Sequence, residues 1–346
     1  MQATSHLPPM PTRQLSFFDA DDDPAPAGGG RPDPVTASVA DDEARALARA
    51  LPARVHLGTS SWSFPGWTGL VYAPRKGKPE TEQRLAREGL AAYAAHPLLS
   101  TVSLDRTFYA PLAADAFAAY AAQVPDGFRF VVKAPSALTT PTLRGGSGPA
   151  GDNPSFLDAG AAIAAFVRPA SDGLGAKAGP LVFQFPPLGR LTRDPARLAA
   201  RIAAFIAVLP RGPLYAVEFR DPECLEPATA RMLADAGAVP CLAVHARMPP
   251  VDGQVERLGG LGTGPLVVRW NLHAGMAYDE AKGHYFPFDR LVDEDLPSRG
   301  ALARLAAAIA ARGDTVFITI NNKAEGSAPL SVRALARCLV GALTAG

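Results

Sequence analysis

The stretch PLYAVEFRDP, residues 213–222, decides how the rest of the chain is interpreted. A run of apolar, aromatic and β-branched residues between two prolines is typical of a strand that is buried on both faces. The end of this strand nevertheless carries Glu218 and Arg220, whose side chains point the same way because strand residues alternate. Buried charges are costly unless they are paired or used. The two residues therefore form either a structural ion pair or part of a functional site.

Working outward from this strand, the chain contains eight runs of strand length, at residues 55–58, 100–104, 128–133, 181–185, 214–219, 239–244, 266–270 and 316–320. Segments with helical spacing lie between most of them, at residues 83–95, 113–123, 156–167, 195–208, 227–236, 301–311 and 331–343. Residues 246–264 show no helical pattern. Eight strands alternating with helices predict an α/β fold with a single (β/α)8 TIM-type barrel. An open doubly wound sheet is the alternative, although no glycine-rich dinucleotide fingerprint follows the first strand.

The composition excludes several classes of protein. The 346 residues include 34 basic and 33 acidic side chains, and a net charge of +1 argues against nucleic-acid binding through bulk positive charge. The cysteines, Cys224, Cys241 and Cys338, have no metal-type spacing and suit a reducing compartment. We find neither a secretion signal nor an apolar run of the roughly 18 residues that a membrane helix needs. We therefore expect a cytoplasmic protein without membrane association.

The N-terminal part of the chain differs in composition from the rest. Residues 1–53 are rich in Pro, Gly, Asp and Ala, and such a segment buries too little apolar surface to order itself. We expect a disordered tail over residues 1–53, with a short helix at 41–51, and one TIM-barrel domain over residues 54–346.

One short peptide interrupts this polar tail. Gln14, Leu15, Phe17 and Phe18 resemble the motif by which bacterial proteins dock to the replicative sliding clamp, although Leu is commoner at the position of Phe17. The sliding clamp is therefore a candidate partner through residues 14–18. The alternative is that these residues lie on the surface of the folded domain or that the peptide occurs by chance.

The C-terminal ends of the strands form the active face of a TIM barrel, so the residues placed there are the candidates for a site. They are unusually polar and aromatic: Thr59, Ser60, Trp62, Trp67, Asp105, Arg106, Thr107, Phe108, Tyr109, Lys133, Gln184, Glu218, Arg220, His245, Arg269, Asn271, Asn321, Asn322, Lys323 and Glu325. Several cationic side chains are thus expected to converge on one rim.

Six ordered motifs carry a family resemblance. They are GTSSWSFPGW at 58–67, TFY at 107–109, VKAP at 132–135, FQFPP at 183–187, VEFR at 217–220 and NNKAEG at 321–326. This series resembles the YecE-like family, domain of unknown function 72, from about residue 55 to the end. The resemblance implies a TIM barrel of the kind shared with xylose isomerase and endonuclease IV, and it implies no established reaction. The chain departs from the family pattern at Ser103, Asp105, Asp221, Cys224 and Asn271.

The rim residues suggest a ligand class. Planar arginine groups and amide donors suit phosphate or carboxylate oxygens, which favours an anion pocket formed by Lys133, Gln184, Arg220, Arg269, Asn321 and Asn322. The alternative is that Glu218 neutralises the arginines. The aromatic residues Trp62, Trp67 and Tyr109 suit stacking on a base or a sugar, or else form a hydrophobic cap. An anionic small molecule or a nucleic acid is the expected partner.

The sequence is compatible with more than one reaction. Glu218 is the first candidate for a general acid or base, with Asp105 and Glu325 next, and hydrolysis of a phosphate-containing substrate is the reaction class considered. The histidines are dispersed, so no metal ligands are assigned, and the sequence indicates no particular cofactor. The alternatives are a metal-dependent sugar isomerase or epimerase and a non-enzymatic accessory factor recruited to the sliding clamp.

Overall fold

The structure of the protein is a computed structural model that describes residues 33–143 and 151–345. The clamp-type peptide at 14–18 lies outside the described residues, so its docking stays a prediction.

Eight parallel strands close into a barrel. They are β1 Val55–Thr59, β2 Thr101–Leu104, β3 Arg129–Lys133, β4 Ala178–Gln184, β5 Tyr215–Glu218, β6 Ala238–Val244, β7 Leu266–Trp270 and β8 Val316–Ile320. Each strand pairs with the next along the chain, and β8 returns to β1 with Val55 opposite Val316. The predicted TIM-type barrel is therefore confirmed, and the open sheet is wrong.

Helices surround this barrel. They are α1 Asp42–Ala50, α2 Glu82–Glu88, α3 Leu90–Ala94, α4 Ala114–Ala121, α5 Ser136–Thr139, α6 Ala159–Ala162, α7 Arg168–Leu174, α8 Pro195–Ala207, α9 Pro227–Ala236, α10 Val251–Arg257, α11 Tyr278–Tyr285, α12 Leu296–Ala311 and α13 Ala328–Ala345. A π-helical turn, Ile163–Val167, joins α6 to α7. Two short segments, Thr142–Leu143 and Gly151–Asp152, pair antiparallel.

Helix α10 corrects the prediction that residues 246–264 contain no helix. Its pattern is weak in the sequence because it is short and contains Gly253. Tertiary hydrogen bonds hold it in place: the buried Gln254 amide donates to the carbonyls of Ala243 and Pro249, both at 2.8 Å, and accepts from the Ala243 N–H at 3.2 Å. The helix therefore depends on contacts with β6 that local spacing does not reveal.

The folded unit begins at Val35, earlier than the boundary at residue 54 that composition predicted. The predicted short helix exists as α1, and the Asp41 carboxylate caps it by accepting from the Ala44 N–H at 2.8 Å. Ala44 is buried, and the Glu43 carboxylate pairs with Arg333 and Arg337 of α13. Packing against the last helix thus orders a segment whose composition alone suggested a tail.

The interior of the barrel changes from apolar to charged along the strand direction. One apolar layer contains Val131, Val182, Ala216, Cys241, Val267 and Phe317. Since side chains two residues apart share a face, the next inward positions towards the C-terminal ends include Lys133, Glu218 and Arg269. Strand alternation therefore places these three charges together at one mouth of the barrel.

The last helix, α13, is long and apolar enough to cross a membrane by length and composition alone. Its side chains Val332, Leu335 and Leu339 are fully buried within the core that covers the barrel. That packing accounts for its apolar composition.

Candidate functional site

Arg269 is the centre of a chain of ion pairs at the barrel mouth. Its Nη1 lies 2.9 Å from Glu218 Oε2, and its Nη2 lies 2.8 and 2.9 Å from the two oxygens of Asp105. The other oxygen of Glu218 lies 2.5 Å from Arg220 Nη2. Arg269 on β7 thus connects β5 with the loop after β2. We call Arg220, Glu218, Arg269 and Asp105 the mouth ion chain.

Both carboxyl groups of the mouth ion chain are ionised at neutral pH. Burial acts to raise the pKa of Glu218, but Arg220 and Arg269 outweigh it and lower that pKa. Burial likewise opposes ionisation of Asp105, whose pKa is lowered by Arg269, Lys133 and a hydrogen bond from Ser103. Glu218 is fully buried, whereas 34% of the Asp105 side chain is exposed. Asp105 is therefore the carboxylate of the mouth ion chain that is open to solvent.

Two lysines beside the mouth ion chain have their amines placed over aromatic rings. Lys133 Nζ lies 3.5 Å from the centroid of the Phe108 ring, and Lys323 Nζ lies 4.2 Å from the centroid of Tyr278. Neither lysine forms an ion pair with any residue that the structure describes. Burial is the main cause that lowers the pKa of each to about 8, and Arg269 adds to it for Lys133. Four cationic groups thus meet the two carboxylates of the mouth ion chain.

Further predicted residues stand around this mouth. Gln184 lies beside Glu218 in the sheet and is half-buried, as is Asn321, whose side-chain Oδ1 accepts from the Lys323 N–H at 3.0 Å. Tyr109 is 73% exposed and contacts the Phe108 ring edge-on at a centroid distance of 5.3 Å. These three residues therefore stand at the mouth, and their binding of a ligand stays a prediction.

Tyr278 was missed by sequence reasoning, and Lys323 was counted at the rim but not assigned to the site. Tyr278 begins α11, inside a stretch that carries no strand or motif signal, and it is 59% exposed. Burial raises the pKa of the Tyr278 hydroxyl, and the negative charge of Asp105 adds to this effect, as it does for Tyr109. Only the folded position of α11 places this ring at the mouth.

Trp62 and Trp67, two of the predicted stacking residues, are buried. Trp62 is 6% exposed and its Nε1 donates to the Leu85 carbonyl at 3.0 Å. Trp67 is fully buried and its Nε1 donates to Asn322 Oδ1 at 3.1 Å. The same Asn322 oxygen accepts from the Ala328 N–H at 2.8 Å, where α13 begins. These three side chains hold loops together, which corrects their assignment to ligand binding.

Glu325 also stands apart from the mouth ion chain. It is fully buried, and its Oε1 lies 2.6 Å from Arg299 Nη2 and accepts from the Asp295 N–H at 2.8 Å. The carboxylate therefore fastens the loop after β8 to the start of α12. Glu325 therefore has a structural role, which corrects the prediction that it is a candidate catalytic group.

Comparison with known proteins settles the family. A family profile described as "Protein of unknown function DUF72" matches residues 56–344. The chain belongs to the DUF72 family. The YecE-like family is the same family, so the resemblance seen in the six motifs is confirmed.

Solved DUF72 structures share the fold of this chain. A DUF72 family protein from Enterococcus faecalis is 19% identical, with a TM-score of 0.57 over 82% of this chain and 95% of that chain. One from Thermotoga maritima is 20% identical, with a TM-score of 0.55 over 82% of this chain and 98% of that chain. No curated protein matches the chain. At these identities the likeness extends to the fold alone.

The departures from the family pattern have structural roles in this DUF72 protein. The Ser103 hydroxyl donates to Asp105 Oδ1 at 2.6 Å, and the Asn271 amide donates to the Arg269 carbonyl at 3.0 Å. Asp221 accepts from the Leu188 N–H at 2.7 Å, and Cys224 is buried. Ser103 thus supports Asp105, and Asn271 supports Arg269, in the mouth ion chain.

Metal ligands do not gather in the described part of this DUF72 chain, which has no group of three or more His, Cys, Asp or Glu side chains able to hold an ion. His245, at the end of β6, is half-buried, and its pKa is lowered to about 4 by burial and by Arg220. It is neutral at physiological pH and its Nδ1 accepts from the Arg247 N–H at 3.1 Å.

A cleft of about 550 Å³ lies at the other end of the barrel, where β5, β6 and β7 begin. Leu214, Val239 and Leu266 line it, together with Arg231 and Arg312. The cleft is remote from the mouth ion chain and is not part of the candidate site.

Proposed function

We propose that the barrel mouth of this DUF72 protein binds an anionic, phosphate-bearing compound. The observation that carries the proposal is the balance of charge at the mouth. The two carboxylates, Glu218 and Asp105, lie beside four cationic side chains, those of Lys133, Lys323, Arg220 and Arg269. Positive charge held in a partly desolvated cleft attracts anions more strongly than the same charge in water.

Unsatisfied hydrogen-bond donors support the same proposal. Arg220 is 7% exposed, and its buried Nη1 has no hydrogen-bond partner among the residues that the structure describes. A buried donor without a partner costs about 1–3 kcal/mol. An anionic oxygen beside Arg220 would satisfy it and add a charge-assisted hydrogen bond.

Exposed rings suggest the rest of the ligand. Tyr109 follows β2 and Tyr278 begins α11, and the charge of Asp105 acts on both hydroxyls. Tyrosine faces suit stacking on a nucleobase or on the apolar face of a sugar. A nucleotide, free or within a nucleic acid strand, is therefore the ligand that we favour within the phosphate-bearing class.

Hydrolysis has weaker support than binding. Both oxygens of Glu218, the first acid-base candidate, lie against arginine side chains, and its lowered pKa leaves it a weak base. Asp105 is the carboxylate with access to a ligand. No observation among the described residues specifically favours a metal-dependent sugar isomerase or epimerase. The accessory-factor alternative rests on residues 14–18, which lie outside the described residues.

Calorimetric titration tests the proposal with inorganic phosphate, glucose 6-phosphate and adenosine monophosphate, using adenosine as the uncharged comparison. We expect Lys133→Met and Lys323→Met each to weaken phosphate-compound binding by roughly tenfold, or about 1.4 kcal/mol. Lys177→Met is the matched control, because Lys177 pairs with Asp126 and donates to the Ala121 carbonyl. Equal binding of adenosine and its monophosphate, or unchanged affinity in both mouth variants, would exclude the proposal.

A further inference from the structure

Lys133 has a position that simple charge neutralisation does not explain. It ends β3 and lies one inward position above Val131, at the boundary between the apolar layer and the mouth. The side chain is half-buried, and its Nζ lies over the Phe108 ring. In the described part of the chain no carboxylate forms an ion pair with it. The amine is thus held at the mouth without a permanent partner.

The charged groups that face Lys133 come from three sides of the barrel. Arg269 on β7 and Arg220 after β5 oppose its protonation, whereas Asp105 after β2 and Glu218 on β5 favour it. Burial has the largest effect, and together with the two arginines it lowers the pKa of Lys133 to about 8. At pH 7 the neutral fraction of the Lys133 amine is then roughly 200-fold that of a lysine with the usual pKa near 10.4.

We infer that Lys133 is a nucleophile that forms a Schiff base with an anionic carbonyl compound bound in the barrel mouth. Lysines that are desolvated, or that lie next to another cationic group, are the ones that take this role. Lys133 meets both conditions through its burial and through Arg269. The anionic part of the compound rests on the function proposed above, with Arg220 and Lys323 as its cationic contacts.

The reaction is the condensation of an amine with an aldehyde or ketone. The Nζ lone pair forms a bond to the carbonyl carbon, and the C=O π pair moves to oxygen, which takes up a proton. Nitrogen releases a proton, giving a carbinolamine. The C–O bond then breaks as nitrogen forms C=N, so that the oxygen leaves as water with both protons that nitrogen gave up. Asp105 is the exposed carboxylate that carries a proton from nitrogen to oxygen.

Reductive trapping tests the inference on the full-length wild-type chain. Pyridoxal 5′-phosphate is the probe because it combines an aldehyde with a phosphate, and cyanoborohydride converts its imine to a stable secondary amine. Peptide mass spectrometry then compares Lys133 with Lys76 and Lys78, which are exposed. We expect Lys133 to be modified at least about tenfold faster at pH 7, since desolvated amines are more often neutral. The initial rate should rise with pH around a midpoint of about 8, which is the pKa of Lys133.

Comparison of probes separates this inference from the proposed function. Inorganic phosphate should slow modification of Lys133 and leave Lys76 unaffected, and Lys133→Arg, with its fold checked by circular dichroism, should lose the mouth adduct. If Lys133 reacts no faster than Lys76 and Lys78 while phosphate compounds still bind, the nucleophile is disproved and the anion site stands. If pyridoxal without phosphate labels Lys133 equally fast, the nucleophile stands and the anion site fails.

Discussion

Replacing Glu218 by glutamine should destabilise the protein and at the same time strengthen its binding of anions. Glu218 lies 2.5 Å from Arg220 and 2.9 Å from Arg269, each through a different oxygen. At an effective dielectric constant of about 20, each contact corresponds to roughly 6 kcal/mol of Coulomb attraction. Desolvation offsets most of this, and removal of one partner from a buried pair leaves a net loss of about 3–5 kcal/mol.

Thermal unfolding followed by circular dichroism measures the first effect. For a chain of this length, a loss of that size lowers Tm by on the order of 10 °C. The Glu218→Gln/Arg220→Met double variant is the matched control, because it removes both charges of one pair and should recover part of the loss.

Calorimetric titration with inorganic phosphate measures the second effect. The variant loses one of the two carboxylates that oppose anion binding, so we expect its affinity to rise while its stability falls. A variant with unchanged Tm would refute the reasoning about the mouth ion chain. A destabilised but folded variant with lower phosphate affinity would refute the charge-balance argument.

Three other outcomes follow from the structure. Arg299→Met should leave Glu325 buried without its partner and lower the free energy of unfolding by about 3–5 kcal/mol. Phosphate affinity should be unchanged, because neither residue belongs to the mouth ion chain. A parallel loss of phosphate affinity would contradict the purely structural role of this pair. Between about pH 8 and the unfolded lysine pKa near 10.4, Lys323 binds more protons in the unfolded chain, so it contributes stability that rises with pH through this window; the difference in unfolding free energy between wild type and Lys323→Met should therefore change in favour of wild type as pH rises, and a constant difference would contradict the lowered pKa. Tyr278→Ala should weaken binding of adenosine monophosphate by about 1–3 kcal/mol and leave inorganic phosphate unaffected, whereas equal losses for both would rule out stacking.

The strand positions and the family were readable from the sequence because they depend on local pattern. The fifth run, at 214–219, corresponds to β5 at Tyr215–Glu218, and the other seven runs also match strands. Short apolar runs bounded by turns specify buried strands in any context, and alternation with helices leaves few ways to close the sheet.

The helix at Val251–Arg257 and the packing of α1 were beyond local reasoning. Gln254 fixes the first through hydrogen bonds to β6, and Glu43 with Ala44 fixes the second through α13. Each depends on a partner far away in sequence, so composition and periodicity gave an incomplete answer.

Strand alternation also predicts which face of the sheet each charged side chain occupies, so the sequence placed three charged residues at one rim, namely Lys133, Glu218 and Arg269. The partner of each charge could not be predicted. The ion pair of Arg269 with Asp105 joins residues 164 positions apart, and the pairing of Glu325 with Arg299 removes a candidate from the site. Tyr278 entered the site only because α11 folds over the mouth.

The sequence by itself determined the eight strands, the barrel and the ring of charges at its C-terminal end, since these follow from side-chain alternation and short-range pattern. Tertiary structure alone decided which carboxylates the arginines neutralise, which tryptophans are buried and which lysines have no acidic partner. The physical reason is that burial and electrostatic pairing depend on distances of a few ångströms between residues from different strands and loops. The strand that ends in Glu218 and Arg220 contains a structural ion pair, and the excess of positive charge lies beside it in Lys133 and Lys323.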